Sequence, residues 1–278
     1  MANLSAENIA IKKVSEAVVI DDADMLAAEE PLEMRLVYGP AHERKQQSIS
    51  VTMRTPGNDF ELAVGFLFTE GIVKQASEIV SIEHCNQPHD NIVKIILNDQ
   101  ASPDIQKLER NFYTTSSCGI CGKSSIDAVR SVCNYPVSAD NIRIPFGIIY
   151  ALPDLLRKEQ SLFEHTGGIH ASALFDINGR LLLMREDVGR HNALDKVIGA
   201  GLNEGLLPFD DHILLLSGRA SFELIQKAMM AGIKVVAAIG APSTLAASMA
   251  KENNMTLIGF LRGKRFNIYS GAQRIIIQ

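Results

Sequence analysis

The spacing of apolar and polar positions predicts a small α+β unit in the first part of the chain. Apolar and polar residues alternate over 48–53, as in a half-buried strand. The segment 60–69 is apolar on most of its surface, which predicts a buried helix, and Gly71 follows where that helix would end. Residues 1 to about 14 are interpreted as a loose leader. Further strands are predicted at 16–20, 32–38, 79–83 and 92–97.

The second half of the chain alternates predicted strands with predicted helices. Two apolar runs flank Asn178-Gly179, which predicts a β-hairpin with a type I′ turn, because this dipeptide tolerates positive φ at both positions. Pro145 begins a helical stretch whose apolar face carries Leu152, Leu155 and Leu156. Later strands are predicted at 212–216, 233–239, 255–261 and 266–269, and helices around 194–202, 222–230 and 244–251. Short strand–helix–strand connections predict an α/β layered domain with parallel strands.

These patterns divide the 278 residues into three parts. We expect a smaller α+β N-terminal domain over 1–110, a mobile loop with a following helix over 111–140, and an α/β domain over 141–278. A polar helix is also expected near 104–112.

Composition and net charge limit the functional classes to which the chain can belong. The chain is 46% hydrophobic and 21% charged, so it can bury a core. A net charge of -5 and a pI near 5.8 argue against broad binding to nucleic acid or to a membrane surface. Neither an apolar run long enough for a transmembrane helix nor the apolar core of a signal peptide is found. The chain is therefore expected to be cytoplasmic.

Two thiols, Cys118 and Cys121, form a Cys-x-x-Cys motif in which a glycine follows each cysteine. Serine and threonine residues precede the motif, which indicates a loop. Such a pair suits zinc binding, thioredoxin-like redox chemistry or carriage of a sulfur atom as a persulfide; two surface cysteines without a role are the alternative. Other candidate ligands form no second pair at zinc spacing, so no metal is predicted; they are His84, Cys85, His89 and Cys133. Cys85 and Cys133 are expected to be buried structural thiols.

Four predicted strands are each followed by a turn that contains glycine, serine or a basic residue. Ligands of α/β sheets bind at the carboxyl ends of strands, and helix N-termini attract anions. The series therefore predicts a site for a nucleotide or another phosphorylated ligand, while the absence of a G-x-G-x-x-G fingerprint argues against NAD. The turns contain Asp187, Gly189, Arg190 and His191; Ser217, Gly218 and Arg219; Ser243 and Thr244; and Arg262, Gly263, Lys264 and Arg265.

Asp187, in the first of these turns, and a short stretch before the hairpin are candidate contacts of the ligand. Asp187 could accept hydrogen bonds from a base or a sugar. Thr166, Gly167 and Gly168 precede the hairpin, and the glycines permit close approach of a ligand. His170 is next to them, although a single histidine is more often an ordinary core residue.

Together these stretches resemble the FdhD family, the sulfur-carrier accessory proteins of formate dehydrogenase. The resemblance rests on the Cys-x-x-Cys motif, on Thr-Gly-Gly with His170, on the Asp-Val-Gly-Arg-His stretch and on Ser-Gly-Arg-Ala-Ser. It extends to 257–260 with the basic turn and to 62–72. It implies a C-terminal domain similar to cytidine deaminases, but the zinc-ligand pattern of those enzymes is absent here, so deaminase activity is not expected.

The resemblance also implies a function. Sulfur would pass from a cysteine desulfurase to the molybdenum cofactor, in its bis-molybdopterin guanine dinucleotide form, destined for formate dehydrogenase. The family pattern assigns the persulfide to Cys118, with Cys121 assisting. The turn from Phe260 through Leu261 to Arg265 would help to bind the cofactor, and the anion-binding turns would match its guanosine phosphates.

Two other functions stay open at this point. The chain could be a chaperone module that holds the cofactor without persulfide transfer, or a zinc-stabilised nucleotide-binding protein. The sequence does not determine the oligomeric state, and a homodimer is compatible with it.

Overall fold

The computed structural model describes residues 5–85, 91–101, 103, 135 and 141–277. It begins with an antiparallel ribbon of two strands, β1 (Ala6–Ser15) and β2 (Val18–Ala27). Glu16 and Ala17 form the connecting turn, and both have positive φ. The expected loose leader was therefore wrong for the described residues, which form β1, and the expected strand over 16–20 is confirmed only for 18–20, where β2 begins. Because Glu-Ala carries none of the usual signals of a two-residue turn, the sequence pattern did not reveal it.

A four-stranded sheet follows, as the apolar pattern predicted. Its strands are β3 (Glu30–Tyr38), β4 (Lys45–Arg54), β5 (Ile79–His84) and β6 (Ile92–Leu97), in the order β4-β3-β6-β5. Helix α1 (Asp59–Thr69) lies between β4 and β5 in the chain. Its predicted burial is confirmed, because Leu62, Val64 and Leu67 are almost completely buried.

The second half forms a mixed sheet of six strands. In chain order they are β8 (His170–Asp176), β9 (Leu181–Asp187), β10 (His212–Leu216), β11 (Val235–Ala238), β12 (Thr256–Arg262) and β13 (Arg265–Ser270). Their order in the sheet is β13-β12-β11-β10-β8-β9. The three neighbours β10, β11 and β12 are parallel, while the other pairings are antiparallel. The prediction of parallel strands in the strand–helix–strand–helix–strand segment is therefore confirmed for β10, β11 and β12, and the predicted hairpin gives the antiparallel pair of β8 and β9. A short parallel pair, β7 (Ile144–Pro145) with β14 (Ile275–Ile276), completes the strands of the described ranges.

The hairpin between β8 and β9 is confirmed, but its turn is not of type I′. Gly179 has φ of 85°, whereas Asn178 does not have positive φ. The Asp176 side chain accepts hydrogen bonds from the backbone N–H groups of Asn178 and Arg180, both at 2.9 Å. This local carboxylate stabilises a different turn from the one that the dipeptide predicted.

Helices cover both faces of the six-stranded sheet. Their bounds are α2 (Phe146–Glu159), α3 (Ser161–Thr166), α4 (Arg190–Asn203), α5 (Phe222–Met230) and α6 (Thr244–Glu252). Helix α2 buries Ile149, Leu152 and Leu156 in the apolar cluster on one face. Helices α4 to α6 pack in the other cluster, which continues without interruption into the four-stranded sheet and α1. The α/β class is confirmed.

Two glycines allow the backbones of α1 and α4 to touch. A Cβ atom on Gly65 would lie 1.9 Å from the carbonyl oxygen of Asp195, and one on Gly199 would lie 1.9 Å from that of Glu61. A methyl group at either position would force the helices apart, because close-packed interiors leave no space for it. One core thus joins the ranges predicted as separate domains. The division at 110 and 140 stays a prediction, and 111–140 lies outside the described residues except for Tyr135.

A buried ionic cluster lies beside this helix crossing. The Nζ atom of Lys227 donates to the two carboxylate oxygens of Asp195 at 3.0 and 2.9 Å and to Oγ1 of Thr69 at 2.8 Å. The Thr69 hydroxyl donates to Asp195 at 2.9 Å. Burial lowers the pKa of Lys227, but the negative charges of Asp195 and Glu70 outweigh it and raise that pKa above its ordinary value. The cluster therefore joins α1, α4 and α5 through a charged pair.

Candidate functional site

The turns that the sequence analysis singled out lie at one edge of the six-stranded sheet. Strand β8 is antiparallel to both β9 and β10, so β9 runs in the same direction as β10, β11 and β12. Their four carboxyl ends, and the beginning of β8, therefore meet at the same edge. We call this surface the turn edge; it comprises 167–170, 187–191, 217–219, 240–244 and 260–265.

Glycines hold the neighbouring turns close together at this edge. The N–H of Gly240 donates to the carbonyl oxygen of Gly218, and the N–H of Phe260 donates to that of Gly240, both at 3.0 Å. A Cβ atom on Gly218 would lie 3.3 Å from the ring of His170, and one on Gly240 would lie 2.9 Å from the Gly218 oxygen. Side chains here would push the turns apart, so the glycines bring the strand ends and the His170 ring together.

The N-terminus of α4 gives the turn edge a positive charge. Gly189 is the N-cap and Arg190 is the first helical residue. The Nε atom of Arg190 is buried and has no hydrogen-bond partner within the described ranges. Burial of the His170 ring and the charge of Arg190 lower the pKa of His170, although Asp187 opposes the shift. The arrangement therefore places the His170 ring, the Arg190 guanidinium group and the N-terminus of α4 at the turn edge, and the positive end of a helix with an added cation suits an anionic ligand.

Asp187 does not have the role that the sequence predicted for it. It is completely buried, and its Oδ1 atom accepts hydrogen bonds from the N–H of Gly189 at 2.8 Å and from Nδ2 of Asn192 at 3.0 Å. Its Oδ2 atom lies 2.7 Å from Nζ of the buried Lys196 and accepts from the N–H of Thr55 at 3.2 Å. A carboxylate with these internal partners cannot also accept hydrogen bonds from a base or a sugar. Asp187 instead fixes the turn that carries Arg190.

The turn before α1 contributes to the same structure, which the sequence analysis missed. The Thr55 hydroxyl accepts from the N–H of Val188 at 3.1 Å, and its carbonyl oxygen accepts from Lys196 at 3.0 Å. The Asn192 amide donates to the carbonyl oxygen of Met53 at 2.8 Å. The N-terminal unit therefore clamps the turn at the start of α4. No local pattern announces a contact between residues this distant in the chain.

A second polar group was also missed. The Nε2 atom of His191 lies 3.3 Å from the hydroxyl oxygen of Ser221 and 3.9 Å from a carboxylate oxygen of Glu223. All three residues are partly buried, in the first turn of α4 and at the start of α5. Glu223 comes shortly after the Ser-Gly-Arg-Ala-Ser stretch in the sequence. A search for polar residues that follow predicted strand ends could therefore have found it.

Basic and aromatic side chains surround the turn edge. Arg219, Lys264 and Arg265 are exposed, as is Arg262, whose guanidinium lies 6.0 Å from the centre of the Phe260 ring. Phe260 has φ of 53° and is 37% exposed. A non-glycine residue in this conformation is strained, and such strain is concentrated at functional sites. The ring is available for stacking on a planar group.

The remaining predicted residues differ in what their side chains can reach. Leu261 is completely buried in the core beneath α2, so its predicted contact with a ligand cannot involve its side chain. The hydroxyl of Ser217 accepts from the N–H of Ala171 at 2.8 Å, and that of Ser243 caps α6 by accepting from the N–H of Ala246 at 3.1 Å. Thr244, Gly167, Gly168 and Gly263 are exposed, and the Thr166 hydroxyl donates to Leu162 within α3 at 2.8 Å.

The family model of the FdhD/NarQ family matches residues 27–276. The chain belongs to the FdhD/NarQ family. This membership confirms the resemblance that the motifs indicated.

Curated relatives in this family carry the name sulfur carrier protein FdhD. The chain is 47% identical to the one from Streptomyces avermitilis over 274 residues, covering 96% of this chain and 94% of the relative. It is 43% identical to the one from Mycobacterium tuberculosis, covering 95% and 96%, and 38% identical to the one from Saccharolobus solfataricus, covering 95% of each.

A solved structure shares the fold. It is the crystal structure of a candidate formate dehydrogenase accessory protein from Desulfotalea psychrophila, with a TM-score of 0.76 and 24% identity. The match covers 98% of this chain and all of that one. The likeness of the C-terminal part to cytidine deaminases stays a prediction.

The predicted thiol site cannot be placed on this surface. Cys118, Cys121 and Cys133 lie outside the described residues. Cys85 is partly exposed, so the prediction that it is buried was wrong. Within the described ranges, no three histidine, cysteine, aspartate or glutamate residues are grouped as ligands of a metal ion. Among the helices of those ranges, none has the length and apolar character needed to cross a membrane.

Proposed function

We propose that the chain is a sulfurtransferase that carries sulfur as a persulfide on Cys118. A cysteine desulfurase would supply the sulfur, and bis-molybdopterin guanine dinucleotide would receive it before insertion into formate dehydrogenase. Family membership and the printed names of the relatives support the sulfur-carrier part. The observation that carries the nucleotide part is the turn edge, where four strand ends present glycine backbone, arginine side chains and an exposed aromatic ring.

The loading of Cys118 needs no external oxidant or reductant. The Cys118 thiolate attacks the terminal sulfur of the donor's persulfide, the donor's S–S bond breaks, and the donor cysteine leaves as a thiolate. A new S–S bond on Cys118 now holds the carried sulfur. Cys121 either accepts that sulfur in the same way or attacks Cys118, forming a disulfide and releasing hydrosulfide.

The turn edge would hold the guanosine diphosphate parts of the acceptor. Arg190 and the N-terminus of α4 suit a phosphate group, since a helix N-terminus carries partial positive charge and Arg190, its first helical residue, adds a cation. Arg219 and Arg262 add positive charge, while the Phe260 ring offers a surface on which a guanine base can stack. The same properties fit the second candidate, a cofactor-binding chaperone that transfers no sulfur, because none of the residues that define the turn edge is a cysteine.

Intact-mass measurement distinguishes these two functions. The protein is incubated with an active cysteine desulfurase and cysteine, and its mass is compared with that of Cys118→Ala, Cys121→Ala and Cys85→Ala. The proposal predicts a gain of one sulfur atom in the wild type and in Cys85→Ala, and none in Cys118→Ala. Cys85→Ala is the matched control because it removes a partly exposed thiol that is not part of the Cys-x-x-Cys motif. No gain in the wild type, together with retained binding of guanosine diphosphate, would favour the chaperone.

A further inference from the structure

A cavity that the proposed function does not use lies beside the turn edge. Its volume is about 630 Å³, which is within the usual range for a small-molecule site. Its walls include Met25 on β2, the turn at 55–58, helix α3 and the end of β9, with Lys196 from α4. Strand β9 continues from this lining, at 184–186, directly into the turn edge at 187. The cavity and the predicted nucleotide site are therefore consecutive along one strand.

The two permanently charged cations of the lining already have internal partners. Nε and Nη2 of Arg185 donate to the Glu61 carboxylate at 2.5 and 2.7 Å. The Nζ atom of Lys196 lies 2.7 Å from Oδ2 of Asp187. Because both positive charges are neutralised within the protein, they do not favour an anionic ligand. The cavity therefore differs in chemistry from the turn edge, which suits a phosphate.

Glu186 is the one carboxylate among the described lining residues. Its Oε1 atom accepts from the N–H of Phe163 at 3.1 Å, and its Oε2 atom accepts from the N–H of Leu162 at 3.2 Å. Burial raises the pKa of Glu186, while these N–H groups and the Gln160 amide oppose that shift. Across the described ranges, no lysine, arginine or histidine side chain forms an ion pair with it. Each carboxylate oxygen therefore keeps a lone pair for a donor of a ligand.

A second polar group beside Glu186 also lacks a partner. Gln160 is 5% exposed, and its Nε2 atom is buried without a hydrogen-bond partner among the described residues. The amide is near enough to lower the pKa of Glu186, but it does not have the geometry of a hydrogen bond to that carboxylate. A buried donor that stays unsatisfied costs free energy, which an acceptor on a ligand would recover. Glu186 and Gln160 thus offer acceptors and a donor side by side.

We propose that this cavity binds the pterin ring of the acceptor named under the proposed function, on which this inference rests. The 2-amino-4-oxopyrimidine edge of a pterin carries two adjacent N–H donors and a carbonyl oxygen next to them. The two donors match the oxygens of Glu186, and the carbonyl oxygen matches Nε2 of Gln160. Guanine has the same edge, but the exposed ring of Phe260 already offers that base a surface at the turn edge.

The other walls and the polar pair favour a flat ring with this edge. Met25, Leu162 and Met184 are partly buried and line the cavity, and methionine sulfur makes favourable contacts with aromatic rings. An alkyl guanidinium could also pair with Glu186, but it has no acceptor for Gln160. Adenine presents a ring acceptor where the carboxylate needs a donor. The two side chains together therefore select the pterin edge over these groups.

Fluorescence titration of the full chain with pterin tests the proposal, and lumazine is the matched ligand. Lumazine has a carbonyl oxygen in place of the 2-amino group, so it turns an acceptor toward the Glu186 carboxylate. We expect the wild type to bind pterin about tenfold or more tightly than lumazine, because a hydrogen bond to a charged group is lost and two acceptors face each other.

Two variants locate the binding within the cavity. Glu186→Gln should weaken pterin binding about tenfold, and Gln160→Leu should weaken it about fivefold. Glu164→Gln is the matched control, because Glu164 is exposed on the same helix and is not a lining residue, so its replacement should change nothing. Urea unfolding verifies that each variant is folded, and Gln160→Leu provides the test if Glu186→Gln is not.

Three results would overturn the inference. They are pterin binding no tighter than lumazine binding, pterin binding that neither Glu186→Gln nor Gln160→Leu weakens, and guanosine that binds more tightly than pterin and is weakened by Glu186→Gln. The last result would assign the cavity to guanine. Sulfur loading of Cys118 is measured separately by intact mass. Absent pterin binding with a retained sulfur gain rejects this inference alone, whereas pterin binding as expected without any sulfur gain supports the cavity and rejects the sulfurtransferase.

Discussion

The buried cluster of Lys227, Asp195 and Thr69 gives a prediction whose size follows from the structure. Lys227→Met keeps the length and apolar stem of the side chain but removes the ammonium group. The Asp195 side chain is about 4% exposed, and two of its close polar contacts come from that ammonium. The Thr69 hydroxyl would still donate a hydrogen bond to it. Removing one partner of a buried ion pair costs about 3–5 kcal/mol, because the other charge stays buried and unpaired.

A second substitution isolates the cause of that loss. In Asp195→Asn/Lys227→Met both charges are gone, while the amide oxygen can still accept a hydrogen bond from Thr69. Replacing both members of a buried ion pair is often neutral or stabilising. We therefore expect the double variant to recover about 2 kcal/mol or more relative to Lys227→Met alone, even though it differs from the wild type at more positions.

Urea unfolding followed by circular dichroism at pH 7 measures these differences by linear extrapolation. Lys251→Met on α6 is the control, because this lysine is exposed and its replacement should change the free energy of unfolding by less than about 0.5 kcal/mol. A loss below about 1 kcal/mol for Lys227→Met would refute the argument. So would a double variant that is less stable than the single one, since the penalty would then not come from an unpaired charge.

Three further predictions concern the turn edge and the helix crossing. Burial of the ring and the nearby Arg190 guanidinium keep the pKa of His170 below its usual 6.5. The unfolded chain therefore binds the proton more readily, so the free energy of unfolding linked to this group should fall as the pH drops below 6.5. An NMR titration of the ring should show the lowered pKa, and added pyrophosphate should raise that pKa. Arg219→Ala should weaken binding of guanosine diphosphate about tenfold or more in calorimetry, whereas Arg180→Ala, exposed at the opposite edge of the sheet, should leave it unchanged. Gly199→Ala should lower the free energy of unfolding by about 3 kcal/mol, while Gly147→Ala, where an added Cβ meets no atom within 4 Å, should not lower it.

Local patterns predicted most of the helices and strands in the described ranges. The helix at Asp59–Thr69 and the strands of the six-stranded sheet follow from apolar periodicity, which depends on burial of each segment. The first ribbon was missed because it buries little, so its apolar residues carry no periodic signal. The antiparallel pair of β8 and β9 follows from the hairpin signal, whereas the pairing of β8 with β10 was not predicted, because pairing between distant strands is decided by tertiary contacts rather than by the composition of either strand.

The candidate site shows the same limit. Arg190, Arg219 and the basic turn could be predicted, because a strand end followed by glycine and a cation is a local feature. Whether a polar side chain faces outward or inward is not local. Asp187 was predicted as a ligand and is instead an internal anchor, since its partner Thr55 is 132 residues earlier in the chain. The predicted ligand contact of Leu261 was wrong for its side chain for the same reason. Side chains alternate between the two faces along β12, and that of Leu261 lies in the core.

The clamp between Thr55 and Asp187 has a consequence for the order of events during synthesis. The turn that presents Arg190 needs Met53 and Thr55, which leave the ribosome early, and Lys196, which leaves it much later. The turn edge therefore cannot be completed by the synthesis of its own strands alone. It is completed only when a distant, previously made segment docks against the start of α4.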